Sequence, residues 1–148
     1  MAGTPGIRPK TYTYQTRVEW VGFRAGQLHA AGKPSFRVAS PPEFKGEPGV
    51  WSPEDLFVAS VNICTMTTFL SFAERAKLVL TSYASTAEGT LELVEGSFRF
   101  TRIVIKPQLH VPADQVEQAQ QLMHDAHAKC LVSNSMRCVV EVEATVNA

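Results

Sequence analysis

WSPEDLFVASVNICTMTTFLSFAERAK, residues 51–77, reads as one long helix, and most of the fold follows from it. Ser52 is a helix N-cap residue type, Pro53 suits the first helical position where no N–H is needed, and Glu54 and Asp55 favour the positive end of the helix dipole. From Leu56 to about Lys77 apolar and small residues dominate, with Leu56, Phe57, Ser60, Val61, Cys64, Thr68 and Phe72 along one side. A helix apolar over most of its circumference is expected to be buried at the centre of the fold.

Upstream, TYTYQTRVEW (Thr11 to Trp20) alternates and is rich in β-forming types, which predicts a half-buried strand. Gly22 and Gly26 punctuate a tight connection into a second strand at Leu28 to Ala30, and a third follows at Ser35 to Ser40, giving an antiparallel meander. Residues 41–50, with three prolines and two glycines, read as an irregular surface loop.

Downstream, residues 78–106 read as two strands joined by a turn at Glu95 and Gly96. Phe98, Phe100, Ile103 and Ile105 point inward if a bulge shifts the phase between them. Pro112 opens a second helix, with Val116, Ala119, Leu122 or Met123, Ala126 and Cys130 on its apolar face and Cys130 in its last turn. The short segment LVSNSMR then leads to a closing strand, Cys138 to Val146, with Val140, Val142 and Ala144 opposite Glu141, Glu143 and Thr145.

Strands broken by two long helices without repeating βαβ units predict an α+β class. The length, 148 residues, suits one domain, 1–148, with a real core. Fourteen basic against fourteen acidic residues, with no basic run, give no field for a polyanion, so no nucleic-acid partner is expected. The N-terminus lacks an apolar h-region, and polar residues are taken to interrupt each apolar stretch short of spanning length, which predicts no membrane partner and a soluble, cytoplasmic protein. A long apolar helix among few elements leaves surface for a second copy, hence a homodimer.

Three cysteines, Cys64, Cys130 and Cys138, do not make a secreted disulfide framework. On periodicity alone Cys64 and Cys130 are most simply core residues, and Cys138 is read as structural. Two features raise the interest of Cys64. Small and hydroxyl residues surround it (Ser60, Thr65, Thr67, Thr68), and Arg24 and Glu54 offer charge; an arginine can hold a thiolate without losing a proton. His124, His127 and Cys130 step by three, drifting around the helix, so they do not converge on one metal ion. His29 and His110 join no constellation, and there is no phosphate-binding glycine loop or nucleophile elbow.

The run W-S-P-E-D-L-F-V-A-S-V-N-I-C from Trp51 to Cys64, followed by A-K-C-L-V-S-N-S around Cys130, resembles the OsmC-like proteins (osmotically inducible protein C and the organic hydroperoxide resistance proteins) over nearly the whole chain. The resemblance implies an α+β OsmC-like fold, antiparallel sheets packed around two long helices in an intertwined homodimer. It implies a thiol peroxidase, with no metal, haem or other cofactor, that reduces organic hydroperoxides to alcohols. By the motif Cys64 is the peroxidatic cysteine, Cys130 the resolving one, Glu54 the carboxylate of an Arg/Glu pair, and Arg24 its arginine. Cys64 would become a sulfenic acid and then a Cys64–Cys130 disulfide, reduced by an external dithiol such as lipoamide. Glu54 and Cys64 on one straight helix lie about 15 Å apart, so either the helix breaks, the arginine bridges part of the gap, or Arg24 and Glu54 serve Cys64 of the partner copy across a twofold axis. The last is the favoured expectation. Leu131 follows Cys130 where the two best-known branches carry proline, which implies a less characterised branch. Two other functions use the same residues: a non-enzymatic dimeric module binding an apolar small molecule, and a thiol redox sensor.

Overall fold

The computed structural model describes residue 6 and residues 10–148. The chain divides into two compact units, residues 1–53 and 54–148.

The first unit is a three-stranded antiparallel sheet of β1 (Arg17–Gly22), β2 (Ala25–His29) and β3 (Phe36–Ala39). The meander is as expected, with three differences. Residues 11–16 are not strand: the β1–β2 ladder ends at Arg17 opposite His29, where β2 itself ends, so they lack a ladder partner there. The second strand starts at Ala25 rather than Leu28 and takes Gly26 into the ladder; the tight turn is Gly22–Phe23–Arg24, with Gly22 and Phe23 at positive φ. β1 is also exposed rather than half-buried, with Val18 63% and Trp20 79% exposed. Alternation tells which side chains share a face, not whether anything covers that face. The loop at 41–50 contains a 3-10 turn at Pro42–Phe44, and Trp51 bridges to Val38.

The second unit opens with α1 (Pro53–Arg75), close to its predicted span. Lys77 takes the left-handed conformation and the Leu78 N–H donates to the Ala73 carbonyl at 2.9 Å, so the helix stops in a Schellman-like cap without glycine. The buried row is Val61, Thr65, Phe69 and Ala73, every fourth residue. Of the face expected from the sequence only Val61 is fully buried, because a helix apolar all round does not announce which row will meet the sheet. Nor is the helix wholly buried: an 18-residue window averages a hydropathy of 1.6 with 28% of it buried. That window also overturns the expectation that no apolar stretch reaches spanning length, since Leu56 to Ala73 carries no charge. By length and composition α1 is long enough to cross a bilayer; here its buried row lies on a sheet.

That sheet has four strands around a long hairpin of β4 (Ser82–Val94) and β5 (Ser97–His110). Glu95 and Gly96 both have positive φ, as a two-residue I′ turn requires. The expected bulge lies at Thr101, skipped between the Thr90–Arg102 and Leu91–Phe100 pairs. Beyond it Ile103, Ile105, Pro107 and Leu109 alternate inward, all buried. Phe98, expected inward, is 56% exposed near the hairpin tip. The residues at 78–81 are the helix exit rather than strand.

A 3-10 turn (Ala113–Gln115) precedes α2 (Val116–Lys129), which buries Ala119, Met123 and Ala126. A five-residue helix, α3 (Leu131–Ser135), follows. The closing strand is split into β6 (Val139–Val142) and β7 (Thr145–Asn147), both parallel to β5. Their register is continuous, and the gap at 143–144 faces Lys106 and Pro107. Proline has no N–H for the ladder, which is a reason for pairing to lapse there. The class is α+β as expected, but the larger sheet is mixed rather than antiparallel, because the helical crossover returns the chain parallel to β5.

Candidate thiol site

The inner face of the larger sheet carries two core clusters. One joins Phe69 and Ala73 of α1, Leu109 of β5, and Met123 and Ala126 of α2. The other joins Val61, Ile103, Ile105 and Cys130, with Cys64 and Cys138 packed against it. Gly89 of β4 permits this closeness: a Cβ there would stand 2.7 Å from Val58 Cγ2 and 2.8 Å from Phe100 Cε1. The Phe57 and Phe100 rings stack with centroids 4.8 Å apart.

Cys64 is partly exposed on α1, and Cys130 is fully buried. Cys130 is not in the last turn of α2 but at the joint between helices, ending α2 and capping α3 in an extended conformation (φ −63°, ψ 109°). The joint turns its sulfur toward α1: Cys64 packs against the cluster that holds Cys130, and Thr65 Oγ1 lies 4.0 Å from the Cys130 sulfur while donating to the Val61 carbonyl at 2.8 Å. Thr68 Oγ1 lies 3.8 Å from the Cys64 sulfur.

The two thiols are pushed in opposite directions. For Cys64, burial is the largest influence and works to raise its pKa, but the Val132 amide, the Cys130 thiol, the Thr68 hydroxyl and the Leu131 amide together lower it below the ordinary thiol value. Cys130 is pushed up, chiefly by burial and further by the neighbouring Cys64, against the Ser133 amide. Of the two, Cys64 is therefore the thiol that gives up its proton first and Cys130 the one that keeps it. Every group that lowers Cys64 is neutral, and two are amides in the first turn of α3. The sequence reading missed Leu131, Val132 and Thr65 in these roles; the signal available was a short helical segment starting directly after a cysteine.

Arg24 and Glu54 sit in different units. Arg24 is exposed in the β1–β2 turn, and its guanidinium donates to the Phe44 carbonyl at 2.7 Å. Glu54 lies in the first turn of α1, with its buried Oε2 lacking a hydrogen-bond partner among the described residues. α1 is unbroken, so the separation of about 15 Å along the axis between Glu54 and Cys64 stands, and a broken helix is removed as its remedy. Among the described residues no three His, Cys, Asp or Glu side chains gather as a metal site.

An α+β unit presenting one lowered and one raised thiol in contact defines a paired-cysteine protein. The model of the OsmC-like protein family matches residues 46–145, and the chain belongs to that family. It is 21% identical over 136 residues to the uncharacterized protein YmaD of Bacillus subtilis, covering 88% of this chain and 90% of that one. It is 27% identical over 100 residues to peroxiredoxin OsmC of Escherichia coli, covering 68% of this chain and 69% of that one. Among solved structures, an organic hydroperoxide resistance protein OsmC from Legionella pneumophila superposes with a TM-score of 0.73 at 27% identity, over 95% of this chain and all of that one.

Proposed function

We propose that the protein is a thiol peroxidase that reduces organic hydroperoxides, working as one OsmC-like domain in a cytoplasmic homodimer. The observation that carries this reading is the contact between Cys64 and Cys130 with their ionisation split. The Cys64 thiolate attacks the outer oxygen of ROOH, the O–O bond breaks, the alkoxide takes a proton and leaves as alcohol, and Cys64 becomes a sulfenic acid. Cys130 then condenses with it, releasing water and forming the Cys64–Cys130 disulfide. The raised pKa of Cys130 suits the second role, since it stays protonated and idle until the sulfenic acid appears. An external dithiol of the lipoamide type restores both thiols by exchange.

Arg24 and Glu54 are proposed as the charge pair that orients peroxide and thiolate, with the partner copy of Cys64 as their target. Two observations support this: Glu54 keeps a buried oxygen without a donor among the described residues, and only 28% of the apolar window of α1 is buried, which leaves apolar surface for another chain to cover. The names of the E. coli and L. pneumophila relatives, a peroxiredoxin and an organic hydroperoxide resistance protein, point the same way.

The test adds cumene hydroperoxide to the reduced protein and follows peroxide and free thiols together. One equivalent of peroxide consumed with loss of two thiols is expected, and Cys64→Ser should consume none. Peroxide left intact, with Cys64 and Cys130 both free, would hand the fold to a binding role for an apolar small molecule.

A further inference from the structure

The mechanism above leaves Cys138 unused, yet it packs against the same cluster as Cys64 and Cys130. It lies in the bend just before β6, in phase with Val140 and Val142, whose side chains pack on that cluster as well. Only the five-residue α3 and the bend separate it from Cys130 along the chain. The exposures are unequal: Cys130 is fully buried and Cys138 partly exposed. Cys64 is partly exposed as well, so a disulfide at Cys130 has one partly exposed sulfur whether its partner is Cys64 or Cys138.

We propose that Cys138 is a third redox thiol, which takes the disulfide over from the first pair by exchange at Cys130 and so frees Cys64 before the external dithiol acts. This rests on the peroxidase reading for the origin of the first disulfide. In the exchange the Cys138 thiolate attacks Cys130 Sγ. A Cys130–Cys138 bond forms, the Cys64–Cys130 bond breaks, and its electron pair leaves on Cys64 Sγ as thiolate. No electrons enter or leave. The external dithiol then supplies two electrons to the Cys130–Cys138 bond and is itself oxidised to a disulfide.

The direction of exchange follows from the leaving group. Disulfide exchange favours expulsion of the sulfur that best carries negative charge, and Cys64 is that sulfur, stabilised by the Val132 and Leu131 amides and the Thr68 hydroxyl. The relay resets the attacking cysteine and leaves the oxidised bond between Cys130 and Cys138, the latter partly exposed as Cys64 is.

Tryptic cleavage after Lys129 and Arg137 puts Cys130 and Cys138 on separate peptides, so the pairing can be read directly. Reduced protein receives one equivalent of cumene hydroperoxide in one arm and one equivalent of diamide in the other; both are quenched in acid, alkylated and mapped by mass spectrometry. The expected result is a linked Cys130–Cys138 peptide pair with alkylated Cys64 in both arms. In Cys138→Ser only Cys64–Cys130 should form. Its single-turnover peroxide consumption should match wild type, while steady-state turnover with dihydrolipoamide falls several-fold. Cys64–Cys130 as the sole disulfide in both arms, with Cys138 fully alkylated, overturns the relay. A peroxide arm without disulfide beside a diamide arm showing Cys130–Cys138 removes the peroxidase reading and keeps the relay. The wild-type mapping stands even where a variant does not fold.

Discussion

The two core clusters of the larger unit are made by the same helix and the same strand, yet one is inert packing and the other holds the thiols. Phe69 and Leu109 build the first, and Val61, Ile103 and Ile105 build the second, two turns earlier on α1. What differs is the cover. Over the first cluster α2 is a continuous helix whose amides are spent within it. Over the second α2 has ended and α3 begins, so unspent first-turn amides are available to a neighbouring sulfur. A helix joint therefore does what a charged residue is usually asked to do.

Exchanging single residues between roles should break the comparison most visibly at the nucleophile. Cys64→Ser is expected to cut peroxide consumption by more than about 10³-fold, since no other group replaces a covalent nucleophile, while its thermal midpoint stays near wild type. Phe69→Ala at the matching place in the first cluster should do the reverse. It is expected to cost about 3–5 kcal/mol in urea unfolding, and in the fraction that remains folded Cys64 should keep its reactivity. An unaltered midpoint would show that this cluster does not hold the unit together.

Gly89→Ala sits between these cases. Its Cβ would press on Val58 and Phe100, beside the thiol cluster, and the expected cost is about 1–3 kcal/mol in the same unfolding measurement. The smallest expected effect is the most specific. Leu131→Pro removes one N–H from the first turn of α3 at a position where proline is tolerated, after a residue already extended. The apparent pKa of Cys64, followed by thiolate absorbance at 240 nm, should rise. The sign follows from the folded protein: a lowered Cys64 loses its proton at a lower pH than an ordinary thiol and the raised Cys130 at a higher one, so alkylation of Cys64 should reach a plateau at lower pH than that of Cys130. A Leu131→Pro curve overlying wild type would mean that the joint is not what ionises Cys64.

Much of this was legible in the chain. The N-cap, proline and acidic residues at 52–55 set the start of α1 to the residue, because capping is local chemistry. The Glu95–Gly96 turn and the phase shift before Ile103 fixed the hairpin and its bulge, because strand period and turn type are local as well. The sequence also singled out Cys64 and Cys130, by their place in a family pattern rather than by their periodicity.

What stayed hidden depended on contacts between distant segments. Which row of an apolar helix is buried is decided by the sheet beneath it, so Val61, Thr65, Phe69 and Ala73 could not be separated from their neighbours in advance. The parallel return of β6 and β7, and their lapse opposite Pro107, needed the crossover to be seen. By itself the sequence determined the elements and the residues able to do thiol chemistry, because propensity, capping and turn geometry act within a few residues. Only the tertiary structure decided which thiol ionises first, because that depends on burial and on amides 67 and 68 residues away along the chain from Cys64, at Leu131 and Val132.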